Sequence, residues 1–91
     1  MVTAIVLMNV QRGRVNEVAE TLAGLDGVSE VYSVAGSYDA VAMVRVAHND
    51  DLARLVNEQV SRVEVIDHTE TMLAFRSYSR HDLESMFSLG Q

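Results

Sequence analysis

Two segments of the chain are apolar on both of the faces a β-strand presents, and they restrict the fold more than any other feature. Over 2–10, Val2, Ala4, Val6, Met8 and Val10 project to one side and Thr3, Ile5, Leu7 and Asn9 to the other. Over 40–47 every residue except Arg45 is apolar. Strands of this kind belong inside a sheet that is covered on both faces.

The segments around them complete the pattern. Val15, Val18, Ala19, Leu22 and Leu25 recur at helical spacing after the connection Gln11-Arg12-Gly13. Gly24 or Gly27 can end that helix, because glycine takes the left-handed C-cap conformation at little cost. Residues 28–35 alternate Val28, Val31, Tyr32 and Val34 with polar Ser29, Glu30 and Ser33, a polarity that suits an edge strand. Gly36-Ser37-Tyr38-Asp39 is a turn signal. Asn49 reads as the N-cap of a second helix, with Asp50 and Asp51 at the positive end of its dipole and Leu52, Leu55, Val56 and Val60 as its apolar face. A last strand is expected over 63–76. The span 79–82 then has capping-box form and leads into Leu83, Met86 and Phe87, one stripe on a short C-terminal helix.

The order β-α-β-β-α-β predicts an α+β fold, a ferredoxin-like sandwich with a four-stranded antiparallel sheet. Right-handed crossovers place both helices on one face. The first and third strands are then central, and these are the two segments with two apolar faces. The uncovered face would meet water in a monomer. Burial against a second copy, in a dimeric α+β barrel-like arrangement, is the economical solution. The alternative is a monomer whose terminal helix folds over that face. No linker or repeat divides the chain, so 1–78 form one domain and 79–91 its helical extension.

Composition narrows the chemistry. There is no cysteine, hence no disulfide, thiolate metal site or cysteine nucleophile. The formal net charge is −6 and all seven basic residues are arginine. An acidic surface repels the phosphate backbone that supplies non-specific DNA affinity, so direct nucleic-acid binding is not expected. The apolar start at 1–8 is too short to span a membrane and has no basic leader region, which suits a cytoplasmic protein. His48, His68 and His81 lack metal-ligand spacing and read as ordinary surface or interface residues. No catalytic triad or glycine-rich phosphate loop is legible, and no cofactor is expected.

The segment Val34-Ala35-Gly36-Ser37-Tyr38-Asp39-Ala40-Val41 resembles the Gly-x-Tyr-Asp turn of the Lrp/AsnC effector domain, also called RAM. Gly27-Val28-Ser29-Glu30-Val31-Tyr32 is similar to the entry into that family's second strand. Thr69-Glu70-Thr71-Met72-Leu73 is similar to its last strand. The likeness covers about 2–76. Full-length regulators carry an N-terminal helix-turn-helix domain, whereas this sequence starts at the first strand and so resembles the stand-alone RAM proteins. It also has Ser61-Arg62-Val63 where the family often has a glycine before the last strand. The resemblance implies dimers through the sheets, often assembled further into rings, and small-molecule sites, usually for amino acids, between neighbouring dimers.

Under that resemblance Gly36, Ser37, Tyr38, Asp39, Thr69 and Thr71 are the expected ligand-binding residues. Gly36 lets a ligand approach the backbone, Asp39 accepts from an ammonium, and amides of the turn receive a carboxylate. Read without it, Gly36 and Asp39 are ordinary hairpin residues. Tyr38 closes a pocket or packs on a neighbouring subunit. Thr69 and Thr71 share one strand face and either line a polar site or simply suit a strand. The expected function is a non-enzymatic sensing and oligomerisation module linked to transcriptional regulation of amino-acid metabolism. A full-length Lrp/AsnC-type regulator is its natural protein partner. A small monooxygenase-like barrel enzyme and a purely structural co-assembly module are the alternatives.

Overall fold

A computed structural model describes residues 1–80. Six regular elements follow one another: β1 (Val2–Val10), α1 (Val15–Ala23), β2 (Val28–Ser33), β3 (Ala40–Val46), α2 (Asn49–Arg54) and β4 (Ile66–Ala74). The sheet runs β2-β3-β1-β4 with every neighbour antiparallel, the ferredoxin-like order. The two doubly apolar segments are therefore its central strands. The expected terminal helix, with Leu83, Met86 and Phe87, lies outside the described residues.

One face of each central strand forms the core. Ala4, Val6, Met8 and Val10 of β1 and Ala40, Ala42 and Val44 of β3 are buried against Val18 and Leu22 of α1 and against Leu55 and Val60 beyond α2. Burying a side chain the size of valine, leucine or methionine contributes roughly 1.5–3 kcal/mol. The alternate residues Thr3, Ile5, Leu7, Val41 and Met43 are only half-buried and lie on the face opposite the helices.

The structure differs from the sequence reading in the conformation that ends α1 and in where α2 and β4 begin, and it ends β2, β3 and β4 one or two residues short of the expected 35, 47 and 76. α1 stops at Gly24 in a right-handed conformation, and the left-handed glycine is Gly27, at φ +94°. A Cβ at Gly27 would lie 2.7 Å from Val46 Cγ1, so close packing on β3 as well as backbone conformation requires glycine there. The N-cap of α2 is His48 rather than Asn49, because the Asp51 carboxylate reaches back to accept the His48 N–H at 3.1 Å. β4 begins at Ile66, not 63, because the helical path continues past α2 to Arg62.

That continuation is irregular. Leu55–Gln59 form a wide π-type turn and Val60–Arg62 a 3₁₀ turn. In a regular helix, at about 100° per residue, Leu55 and Val60 would sit about 140° apart. Widening the turn brings Val60 back toward Leu55, and both are buried.

Candidate functional site

The turn between β2 and β3 is held from both sides. The Val34 N–H donates to the Asp39 carbonyl at 3.0 Å, and the Asp39 N–H donates to the Met8 carbonyl at 2.9 Å. The Val10 N–H donates to Asp39 Oδ2 at 2.8 Å, and Asn9 Nδ2 donates to the Ser37 carbonyl at 2.8 Å. The Tyr38 hydroxyl donates to the Glu70 carboxylate on β4. One turn is thus fixed to the end of β1 and to the middle of β4.

Gly36 sits at the tip with φ +138°, and a Cβ built on it meets nothing within 4 Å. The backbone there is open to approach. Gly36 and Ser37 are exposed, while Tyr38 and Asp39 are partly buried. The Asp39 carboxylate already caps a backbone donor. A carboxylate accepts at about four lone-pair positions, so one bond to Val10 leaves capacity for a ligand. The Glu70 carboxylate raises the Tyr38 phenol pKa above its ordinary value, chiefly by accepting its hydrogen bond.

Thr69 and Thr71 lie elsewhere in the same chain. Thr69 pairs with Met8 and Thr71 with Val6, two residues of the buried face, so both threonines are on the helix side of the sheet. Glu70 pairs with Leu7 and faces the opposite way, where Tyr38 meets it. Thr69 borders a groove of about 140 Å³ with Val60, Val63 and His68. Thr71 borders an apolar groove of about 420 Å³ with Leu52, Ala53, Val56 and Leu73. The structure therefore brings Gly36, Ser37, Tyr38 and Asp39 together as one unit and leaves Thr69 and Thr71 on another face.

Two residues of the turn's support escaped the sequence reading, Asn9 and Glu70. Glu70 stood inside the quoted Thr-Glu-Thr run. Strand alternation alone places it on the face opposite both threonines. Among the described residues no group of His, Asp and Glu could hold a metal, and no buried side-chain nitrogen or oxygen lacks a partner. No helix among them is long and apolar enough to cross a membrane.

Comparison with known proteins agrees with this geometry. Residues 3–83 match the family described as the Lrp/AsnC ligand binding domain. An HTH-type transcriptional regulator of Pyrococcus furiosus, PF0250, is 37% identical over 59 residues, 65% of this chain and 39% of that protein. The chain thus spans well under half the length of that relative. The crystal structure of TTHA0845 from Thermus thermophilus is 44% identical, with a TM-score of 0.82 over 88% of this chain and 100% of that one. The Neisseria meningitidis regulator NMB0573, solved as its complex with L-Met, has a TM-score of 0.76 at 9% identity, over 87% of this chain and 53% of that one. That last likeness is one of fold.

Proposed function

The chain belongs to the Lrp/AsnC ligand-binding domain family, and from that premise we propose that it senses a small amino acid or related metabolite and passes the signal to transcription through its assembly. It acts without catalysis, in the cytoplasm, as a homodimer or a ring of dimers, and a full-length regulator of the same family is its protein partner. Its relative PF0250 is a transcriptional regulator, and the distant NMB0573 binds L-Met on the same fold. Both support the reading.

The observation that carries it is the pre-set turn at 36–39. A zwitterion needs an acceptor for its ammonium and donors for its carboxylate. Asp39 is fixed by the Val10 N–H and offers the first. Exposed backbone at Gly36 and Ser37 offers the second. Little ordering remains to be done on binding, which favours affinity. Thr69 and Thr71 face away from this turn in their own chain, so they join the pocket only from a neighbouring copy. A ligand held between copies then shifts their association by its differential affinity for the two states.

An amino-acid panel read by thermal shift tests this, because a ligand bound only by the folded state raises the melting temperature. The variant Asp39→Asn keeps an oxygen for the Val10 N–H and removes the charge. It should bind the ligand so found about 10- to 100-fold more weakly by calorimetry, the worth of a charged hydrogen bond of roughly 1.5–3 kcal/mol. Glu20→Ala, on the exposed side of α1, should bind as the parent does. No shift across the panel, or equal affinity in Asp39→Asn, refutes the assignment.

A further inference from the structure

The groove between α2 and β4 is the largest apolar concavity described above. Leu52, Ala53 and Val56 form one wall and Leu73 the other, with Thr71 at the rim. Leu73 is 50% exposed although its strand partner Ala4 is fully buried. This is an unfinished edge of the core, on the helix side of the sheet, and a second copy covering the opposite face would leave it open.

The chain leaves β4 beside this groove, since Leu73 is one residue from the strand's end at Ala74. Residues 75–80 follow, and six residues reach roughly 20 Å at most. Residues 81–91 come next, outside the described residues. In sequence they place Leu83, Met86 and Phe87 at i, i+3 and i+4, with Glu84, Ser85 and Ser88 between and beyond. Such spacing gives one apolar stripe of about the width that a two-walled groove accepts. The family match ends at residue 83, so Met86 and Phe87 lie beyond the matched span.

We propose that the segment 81–91 docks its Leu83, Met86 and Phe87 stripe into the α2–β4 groove of its own chain, completing the core along the β4 edge. A short tether favours the same chain, because it holds the segment at a high effective concentration beside the groove. Docking covers Leu52, Val56 and Leu73 and leaves Thr71 at the open rim. The open sheet face stays free for a second copy.

The absence of cysteine makes disulfide trapping a clean test. Ala53→Cys, at an exposed position on the groove wall, is combined in turn with Leu83→Cys, Met86→Cys and Phe87→Cys in the full chain. Under mild oxidation at least one pair should close within a single chain. On a non-reducing denaturing gel it should run ahead of its reduced form. The reference pairs carry Tyr32→Cys, on the other face of the sheet, with the same three partners, and should close at least ten times more slowly. Adding Leu73→Glu, which puts a charge into the groove, should slow closure of the Ala53 pair at least tenfold. Closure of the Tyr32 pairs instead, closure only between chains, or no effect of Leu73→Glu overturns the proposal.

Discussion

The Tyr38 hydroxyl and the Asp39 carboxylate tie one turn to two strands, and the Tyr38 bond responds to pH. Tyr38 donates to Glu70, and ionising the phenol would remove the donor and set two negative charges together. Its folded pKa is therefore raised. By linkage, its contribution is fully present below the unfolded tyrosine pKa and is lost as pH rises through the folded value. Glu70→Ala, which removes the acceptor as well as the charge, should bring the Tyr38 titration down toward the ordinary tyrosine range, read from its ring signals by NMR. An unchanged curve would show that the contact does not persist in solution. Glu17 runs the other way. Its pairing with Arg14, at 2.5 Å, lowers its pKa. That contribution is present above the unfolded glutamate pKa and is lost as pH falls through the folded one. Both Arg14 and Glu17 are substantially exposed, so solvent screening keeps the effect small. At this scale the sequence was only partly legible. Gly36 and Asp39 were recognisable as turn residues, but the Asp39 bond to Val10 spans 29 positions and leaves no local mark.

Elements were more legible where one constraint acted alone. β1 and β3 announced themselves because both of their faces are apolar, which only a central place in the sheet accommodates. The end of α2 did not, because its apolar residues were read at a regular period. Burying both Leu55 and Val60 requires a widened turn, and that is a demand of the sheet beneath rather than of the helix. The link from α1 to β2 makes a comparable demand at Gly27. There the backbone is at φ +94° and Val46 Cγ1 occupies the space of a Cβ. Gly27→Ala should therefore cost about 1–2 kcal/mol for the left-handed backbone, with a further 1–3 kcal/mol for crowding. In a domain of this size that lowers the melting temperature by roughly 10–30 °C. Gly13→Ala is the comparison. It also has positive φ, +80°, but open space around it, and should show the backbone cost alone. Equal melting temperatures for the two variants would mean that the Gly27 neighbourhood relaxes freely.

At the scale of the whole molecule the question is what meets the sheet face left open by both helices. Ile5 stands at its centre, paired with Met43 on one side and Met72 on the other. Leu7, Val41 and the half-exposed Tyr32 extend the apolar area outward. On a small domain such a patch is where association is expected. A two-fold axis would set the patch of one copy on that of the next. At micromolar concentration the protein should therefore scatter light as a dimer or larger. Ile5→Glu tests the surface directly. In a monomer the new carboxylate would point to water and cost little. Across a two-fold axis two such charges would be buried without partners, at several kcal/mol each. The variant should fall to the monomer mass of 10.0 kDa and keep its circular dichroism. A parent that is monomeric throughout that range, or an Ile5→Glu variant that still assembles, would assign this face to something other than a second copy. DNA is a poor candidate for that role. With a net charge of −6 the isolated chain should give no salt-sensitive gel shift. A shift that weakens steeply as salt rises would show instead that some of the seven arginines form a phosphate-binding surface.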